Sequence, residues 1–240
     1  MTSVGLVPTM GALHGGHRAL LRQARAENDR VVMTLFVNPT QFGPGEDFDR
    51  YPRNDEADRA VAAEEGVDEV YAPSVEAMYP PGFATSVNVG DIARRYEGAA
   101  RPGHFEGVAT VVLKLFARTQ PQRAYFGQKD AQQLAVIRRM VRDLDLPVDV
   151  RAVPTVREPD GLATASRNAY LSPDERRRAA SLYRALIARD PGVAEGDLDY
   201  LAIVDPDTFE ETDPRPGAIV VGAATFGSTR LIDNIVLEAP

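Results

Sequence analysis

The sequence predicts an α/β protein, a doubly wound parallel sheet followed by a smaller C-terminal α+β domain. Three observations carry that prediction. Short apolar runs alternate with helix-period segments through the first two thirds of the chain. Glycine, histidine and amide residues collect where those runs end. After about residue 155 the alternation gives way to one helix and three strand-like runs in succession. The two domains are accordingly drawn at 1–155 and 156–240, a length that supports real cores without staples.

Taken in order, VGLVP (4–8) and RVVMTLFVN (30–38) read as buried strands, with a helix from His17 to Arg25 between them. Asn54–Glu65 is an alanine-rich, charged helix, and DEVYAP (68–73) is a short strand. The stretch 76–104 is rich in glycine and proline and reads as an excursion near the site. Val108, Val111, Val112, Leu115 and Phe116 recur at helical spacing, which predicts an amphipathic helix over 108–119. RAYF (123–126) is a strand, Ala131–Asp143 a helix and VDVRAVPTV (148–156) a strand. Strands that alternate with helices imply right-handed crossovers and a parallel sheet. The smaller domain then reads as a helix over Pro173–Ala188 and strands at 198–205, 218–226 and 229–237.

Composition narrows the class. The net charge of −8 argues against a nucleic-acid platform, which needs a basic face. There are no cysteines, which excludes a disulfide framework and a thiolate metal site and fits a reducing compartment. The first twenty residues carry no basic segment followed by an apolar stretch, and no apolar run approaches a membrane span. A cytoplasmic enzyme without membrane partners is expected. Lysine occurs only at Lys114 and Lys129, every other basic residue being arginine. A lysine kept against that background marks a place where a compact ammonium does what a guanidinium cannot.

Of three histidines, His14 and His17 stand together in VPTMGALHGGH (7–17), where the first strand turns into its helix. A helix N-terminus offers backbone N–H groups and a positive dipole end, and histidines at i and i+3 share a face. Gly15 and Gly16 let a phosphate chain approach the backbone. FVNPTQF (36–42) ends the second strand with Asn38 and Gln41, neutral amides suited to a hydroxyl-bearing ligand. FGQKD (126–130) ends a later strand with Lys129, followed by Gln133, and RPGHFEGV (101–108) carries His104. Ser166–Arg167–Asn168 combine a hydroxyl with a planar guanidinium, a pair able to clamp triphosphate oxygens.

H-x-G-H resembles the signature of the nucleotidyltransferase superfamily. VPTMGALHGGH, FVNPTQF, YPRN…D, RPGHFEGV, YFGQKDAQQ, VPTVREPDGLA, SRNAYLSP and TRLIDN then occur in the order seen in the pantoate–β-alanine ligases, over about Gly5 to Leu237. That resemblance implies a Rossmann-like domain, a smaller C-terminal lid domain and a homodimer. It implies ATP-dependent condensation of pantoate with β-alanine through an acyl adenylate, releasing AMP and pyrophosphate. Met10, Gly11, Ala12, Leu13, His14, Gly15, Gly16 and His17 would wrap ATP, with His14 and His17 on the phosphates. Gly127, Gln128, Lys129 and Asp130 would bind the nucleotide, and Val156 would contact adenine. Thr164, Ala165, Ser166 and Arg167 would close over the triphosphate. His17, His14, Lys129 and Arg167 would carry catalysis, Gln41 and Gln133 would hold pantoate, and Gln41 would also lie near the β-alanine site. Asp58 would help a Mg²⁺ ion bound mainly by ATP.

The sequence departs from the family at three places. Thr164–Ala165–Ser166–Arg167 stands where the family carries Met-Ser-Ser-Arg, the first strand begins almost at Met1 without a preceding helix, and 173–200 is shorter. A paralogous adenylate-forming ligase with another acid or amine stays open on the sequence alone. So do a simple nucleotidyltransferase and a catalytically weakened ATP-binding homologue.

Overall fold

A computed structural model describes residues 2–239. The chain divides into two compact units, one of Met1–Gly127 with Val136–Val153, the other of Gln128–Ala135 with Pro154–Pro240. The turn after Gly127 thus belongs with the second unit, although it follows directly from a strand of the first.

The first unit contains β1 (Val4–Thr9), α1 (Gly15–Glu27), β2 (Arg30–Leu35), α2 (Asp55–Glu64) and β3 (Glu69–Tyr71). Two short helices follow, α3 (Val75–Met78) and α4 (Glu97–Ala100), then α5 (His104–Thr119) and β4 (Arg123–Gly127). After α6 (Ala131–Asp143), which starts in the second unit, β5 (Asp149–Val153) closes the sheet. All pairings are parallel, in the order β3-β2-β1-β4-β5. Strand order reverses between β1 and β4, and ligands of such sheets bind beyond the carboxyl ends at that point. Those ends are Thr9 and Gly127.

Burial explains the arrangement. β1 and β2 are apolar on both faces, as strands covered on two sides must be. α1 turns Leu20, Leu21 and Ala24 onto Val7, Val31, Met33 and Tyr125. Each such leucine stabilises the fold by roughly 1.5–3 kcal/mol. Three strands, β2, β3 and β5, end two or three residues earlier than the apolar pattern predicts. β2 stops at Leu35, and Asn38 then caps a 3-10 turn over Pro39–Gln41. β5 stops at Val153, directly before Pro154, which cannot donate to a ladder. Conversely α5 begins at His104 rather than 108, entered through Gly103 at a φ of 83°.

The second unit contains α7 (Pro173–Ala188) and an antiparallel sheet of β6 (Asp197–Val204), β7 (Ile219–Phe226) and β8 (Thr229–Val236), in the order β6-β7-β8. Ser172 and Glu175 cap α7 reciprocally with Pro173 at its start, a pattern legible in SPDE. Its core joins Leu182 and Ala179 of α7 to Ala224, Phe226 and Leu231 of the sheet. No described helix is long and apolar enough to cross a membrane.

Candidate active site

The loop from Thr9 into α1 is built around its two histidines. His14 is the N-cap of α1 and His17 lies three residues into it. The Gly16 N–H donates to His14 Nδ1 at 3.1 Å, and the His14 N–H donates to His17 Nδ1 at 3.2 Å. This is the reciprocal logic of a Ser-x-x-Glu capping box, executed by two imidazoles. Each Nδ1 is held as an acceptor, so Nε2 carries the hydrogen of each neutral ring. The rings lie 4.2 Å apart, tilted by 49°. The helix N-terminus therefore presents its donor character through two oriented imidazoles as well as through its backbone.

Asp58, in α2, is 3% exposed and governs the same loop. Its Oδ2 accepts from the Ala12 N–H at 3.0 Å and its Oδ1 from the Leu13 N–H at 2.8 Å. Two backbone donors of the loop that the resemblance places around ATP thus hold a carboxylate of the chain itself. Gly11 adopts a φ of 91°, and a Cβ there would lie 2.7 Å from Asp58 Oδ2, so the close approach requires glycine. Asp58 was expected to help bind Mg²⁺. Each of its oxygens accepts one backbone N–H, and so the carboxylate fixes the loop. Among the described residues no three His, Asp or Glu side chains group as a metal site.

Gln41 closes the 3-10 turn after β2 and is buried. Its Oε1 accepts from Asn38 Nδ2 at 3.1 Å, and its Nε2 donates to the Met10 sulfur at 3.2 Å, tying this turn to the histidine loop. Asn38, expected to suit a hydroxyl-bearing ligand, is a buried hub: its Oδ1 accepts from the Tyr79 hydroxyl at 2.7 Å and its Nδ2 donates to the Gly107 carbonyl at 3.2 Å. Gly107 lets α5 press on this turn, since a Cβ there would stand 2.3 Å from the Thr40 carbonyl oxygen. Lys114 lies over the Phe83 ring at 4.4 Å, serving the 76–104 excursion.

The Gln41 carbonyl is held from behind by His104 Nδ1 at 2.8 Å and Arg101 Nη2 at 3.3 Å. Arg101 in turn pairs with Glu46 through two bonds of 2.9 and 2.5 Å, and its Nη1 lies 3.1 Å from His104 Nε2. Burial, and then the Arg101 charge, push the His104 imidazole down to about 4. A ring that is neutral when folded but takes a proton near 6.5 when unfolded supports the fold above pH 6.5. That support is lost as pH falls toward 4. By this linkage, stability is expected to drop by about 2.5 kcal/mol between about pH 7 and about pH 4.5 from this ring. Urea unfolding of the wild type against His104→Asn, whose amide keeps the donor but cannot titrate, measures the difference in slope.

In the second unit, Gln128–Asp130 form a 3-10 turn. Lys129 Nζ lies 3.4 Å from Asp130 Oδ1. The Asn234 amide nitrogen donates to the carbonyls of Gln128 (2.9 Å) and Lys129 (2.8 Å). Beside it, Asp233 receives Arg157 through two bonds of 2.6 and 3.0 Å, while Arg157 stacks on Tyr183 at 3.9 Å. Burial pushes the Asp233 carboxyl up, and Arg157 opposes that. Gln133, half-buried, follows on the first turn of α6.

The loop from Val156 to Arg167 is pinned at its neck, where the Thr164 N–H donates to the Val156 carbonyl at 2.9 Å. Ala165 then caps the 3-10 turn Ser166–Tyr170 without any side-chain bond. Asn168 Nδ2 reaches back to the Ala163 carbonyl at 2.9 Å, but its buried Oδ1 has no hydrogen-bond partner among the described residues. Lys129, Ala165, Asn168 and Asp233 share the lining of a cavity of about 10 Å³, room for about one water.

The sequence reading singled out the histidines, Gln41 and Lys129 but gave no role to Arg101, Glu46, Arg157, Asp233 or Asn234. For the last two a signal existed: an Asp-Asn pair inside an otherwise apolar strand, LIDNIVL, is out of place unless both are bonded.

The family model described as pantoate-beta-alanine ligase matches residues 1–236. A pantothenate synthetase of Roseiflexus sp. is 55% identical over 99% of this chain and 93% of its own length. That of Moorella thermoacetica is 53% identical over 98% and 91%. Among solved structures, pantothenate synthetase from Thermus thermophilus superposes with a TM-score of 0.94 at 54% identity, covering 99% of this chain and 94% of that one. The pantoate-beta-alanine ligase from Francisella tularensis, complexed with beta-gamma ATP and beta-alanine, gives 0.85 at 34% identity, covering 98% and 90%.

Proposed function

This chain belongs to the pantoate–β-alanine ligase family, and from that premise we propose how it joins the two substrates. It is a ligase that forms an amide bond between pantoate and β-alanine. A carboxylate is a poor electrophile, so a pantoate oxygen attacks the α-phosphorus of ATP and the bond to pyrophosphate breaks. The amine of β-alanine then attacks the carbonyl carbon of pantoyl adenylate, gives up its proton, and expels AMP. ATP is the co-substrate, as the complex of the Francisella relative with beta-gamma ATP and beta-alanine supports.

The observation that carries this reading is the His14–His17 pair, locked as two imidazole donors beyond the carboxyl end of β1. We assign His14 and His17 to the charge that spreads over the phosphates, with His17 on the transition state. Lys129 and Arg167 neutralise phosphate oxygens, and the remaining loop residues Met10–Gly16, Gly127, Gln128, Asp130, Val156 and Thr164–Ser166 shape the nucleotide site. Gln41, its carbonyl and amide both fixed, and Gln133 hold the hydroxyls and carboxylate of pantoate. Mg²⁺, when bound, screens phosphate charge. Each Asp58 oxygen already accepts a backbone N–H, so we take Mg²⁺ to enter mainly as the nucleotide's own counterion. The family likeness also supports a homodimer and a cytoplasmic setting.

The test is ATP–pyrophosphate exchange. Exchange that requires pantoate but not β-alanine, followed by AMP release on adding β-alanine, is expected. Exchange indifferent to pantoate overturns the assignment.

Ala165 gives a second expectation. A serine there can cap the Ser166–Tyr170 turn and place a hydroxyl beside the cavity that Asn168 lines. Ala165→Ser is expected to stabilise the chain by about 1 kcal/mol and to lower the KM for ATP several-fold. Thermal unfolding and steady-state kinetics check both.

A further inference from the structure

We propose that Asn234 is a positioning residue for Lys129, acting through the backbone of the turn that carries it. The inference rests on the reading of Lys129 as a phosphate-binding group. The Asn234 side chain donates both amide hydrogens to consecutive carbonyls, Gln128 at 2.9 Å and Lys129 at 2.8 Å. Its Oδ1 accepts from the Gln128 side chain at 3.3 Å. The two bonds to carbonyls fix the peptide planes on both sides of Lys129, and hence the direction in which the lysine leaves the chain; the third holds the Asn234 amide itself.

Such a clamp is only as firm as its own mounting. Asn234 sits in β8, paired with Val221 of β7, and is 3% exposed. Its N–H donates to Asp233 Oδ1 at 2.8 Å, and its carbonyl accepts from Arg157 at 3.0 Å. Arg157 is itself held by the Asp233 carboxylate and the Tyr183 ring. A strand with a well-bonded polar pair therefore grips a one-turn segment that lies outside the sheets. A lysine has a long, flexible stem, and fixing where that stem begins limits the arc its ammonium sweeps.

A double-mutant cycle tests this, read by pantoate-dependent exchange with unfolding measured alongside. Lys129→Ala is expected to lose about 10²–10³-fold in kcat, and Asn234→Ala about 30-fold, a loss set by comparison with such direct contacts. If Asn234 acts through Lys129, the double variant falls no more than about threefold below Lys129→Ala. Asn234→Asp, which turns a carboxylate oxygen toward two carbonyls, is expected to be at least as damaging as alanine. Asn234→Ser keeps one donor and falls between alanine and wild type, which keeps the test readable should the alanine variant not fold. Losses that multiply in the double variant, or full activity in Asn234→Asp, overturn the proposal. Wild-type activity in Lys129→Ala alone overturns the underlying reading of the lysine instead.

Discussion

Replacing His17 with glutamine is expected to remove about 10²–10³-fold of pantoate-dependent exchange while leaving the fold nearly unchanged. The two halves of that expectation come from the two nitrogens of one ring. His17 Nδ1 accepts the His14 N–H as the third residue of a capping box, a position where glutamine serves as well. Glutamine therefore keeps the helix cap, whereas alanine gives it up at a cost of about 1 kcal/mol. Neither supplies the imidazole Nε2–H. Loss of one donor aimed at transition-state charge corresponds to about 3–4 kcal/mol. His17→Gln and His17→Ala should thus share the catalytic defect and differ in unfolding midpoint. Exchange within about fivefold of wild type in the glutamine variant would remove His17 from the chemistry and leave it as a cap.

Asp58→Asn is expected to lower exchange by about 10–100-fold and stability by about 2–3 kcal/mol. One carboxylate oxygen becomes an NH₂ group facing a backbone N–H, so one of the bonds to Ala12 and Leu13 is lost and a buried donor is left without an acceptor. The loop then loosens ahead of His14. A titration with Mg²⁺ separates this from the metal role that the resemblance implies. With Asp58 as a loop clamp, excess Mg²⁺ leaves the defect in place. Recovery of activity at high Mg²⁺ would show that the carboxylate serves the ion after all.

Much of this architecture was legible in the sequence because hydrophobic period and turn chemistry agreed. The strands around the site and helix α7, with its Ser-Pro-Asp-Glu start, follow from local pattern alone. The histidine pair was legible as an anion site, but its internal bonding was not. H-x-x-H has no place among the usual capping patterns, and only coordinates show each Nδ1 taken by backbone. Asn38 was legible only in part, for a related reason. A neutral amide at a strand end reads as a ligand group, yet here it fills a buried polar junction between Tyr79, Gln41 and α5. Asp58 contacts residues 45 and 46 positions away, and Asn234 contacts Gln128 and Lys129 more than a hundred positions away. Long-range bonds of single polar side chains leave no periodic trace, which is why their roles emerge only from the fold.

The acyl adenylate is the claim on which the assigned roles depend, and oxygen tracing reads it without assuming any residue. Pantoate labelled with ¹⁸O in its carboxylate is incubated with ATP, β-alanine and the enzyme, and the products are weighed by mass spectrometry. One label should leave with AMP, because the oxygen that attacks the α-phosphorus stays with it when the amine displaces AMP, and the other should remain in the amide. Label in pyrophosphate, in inorganic phosphate or in water, with none in AMP, would contradict the adenylate and with it the placement of His14, His17 and Lys129 on the triphosphate.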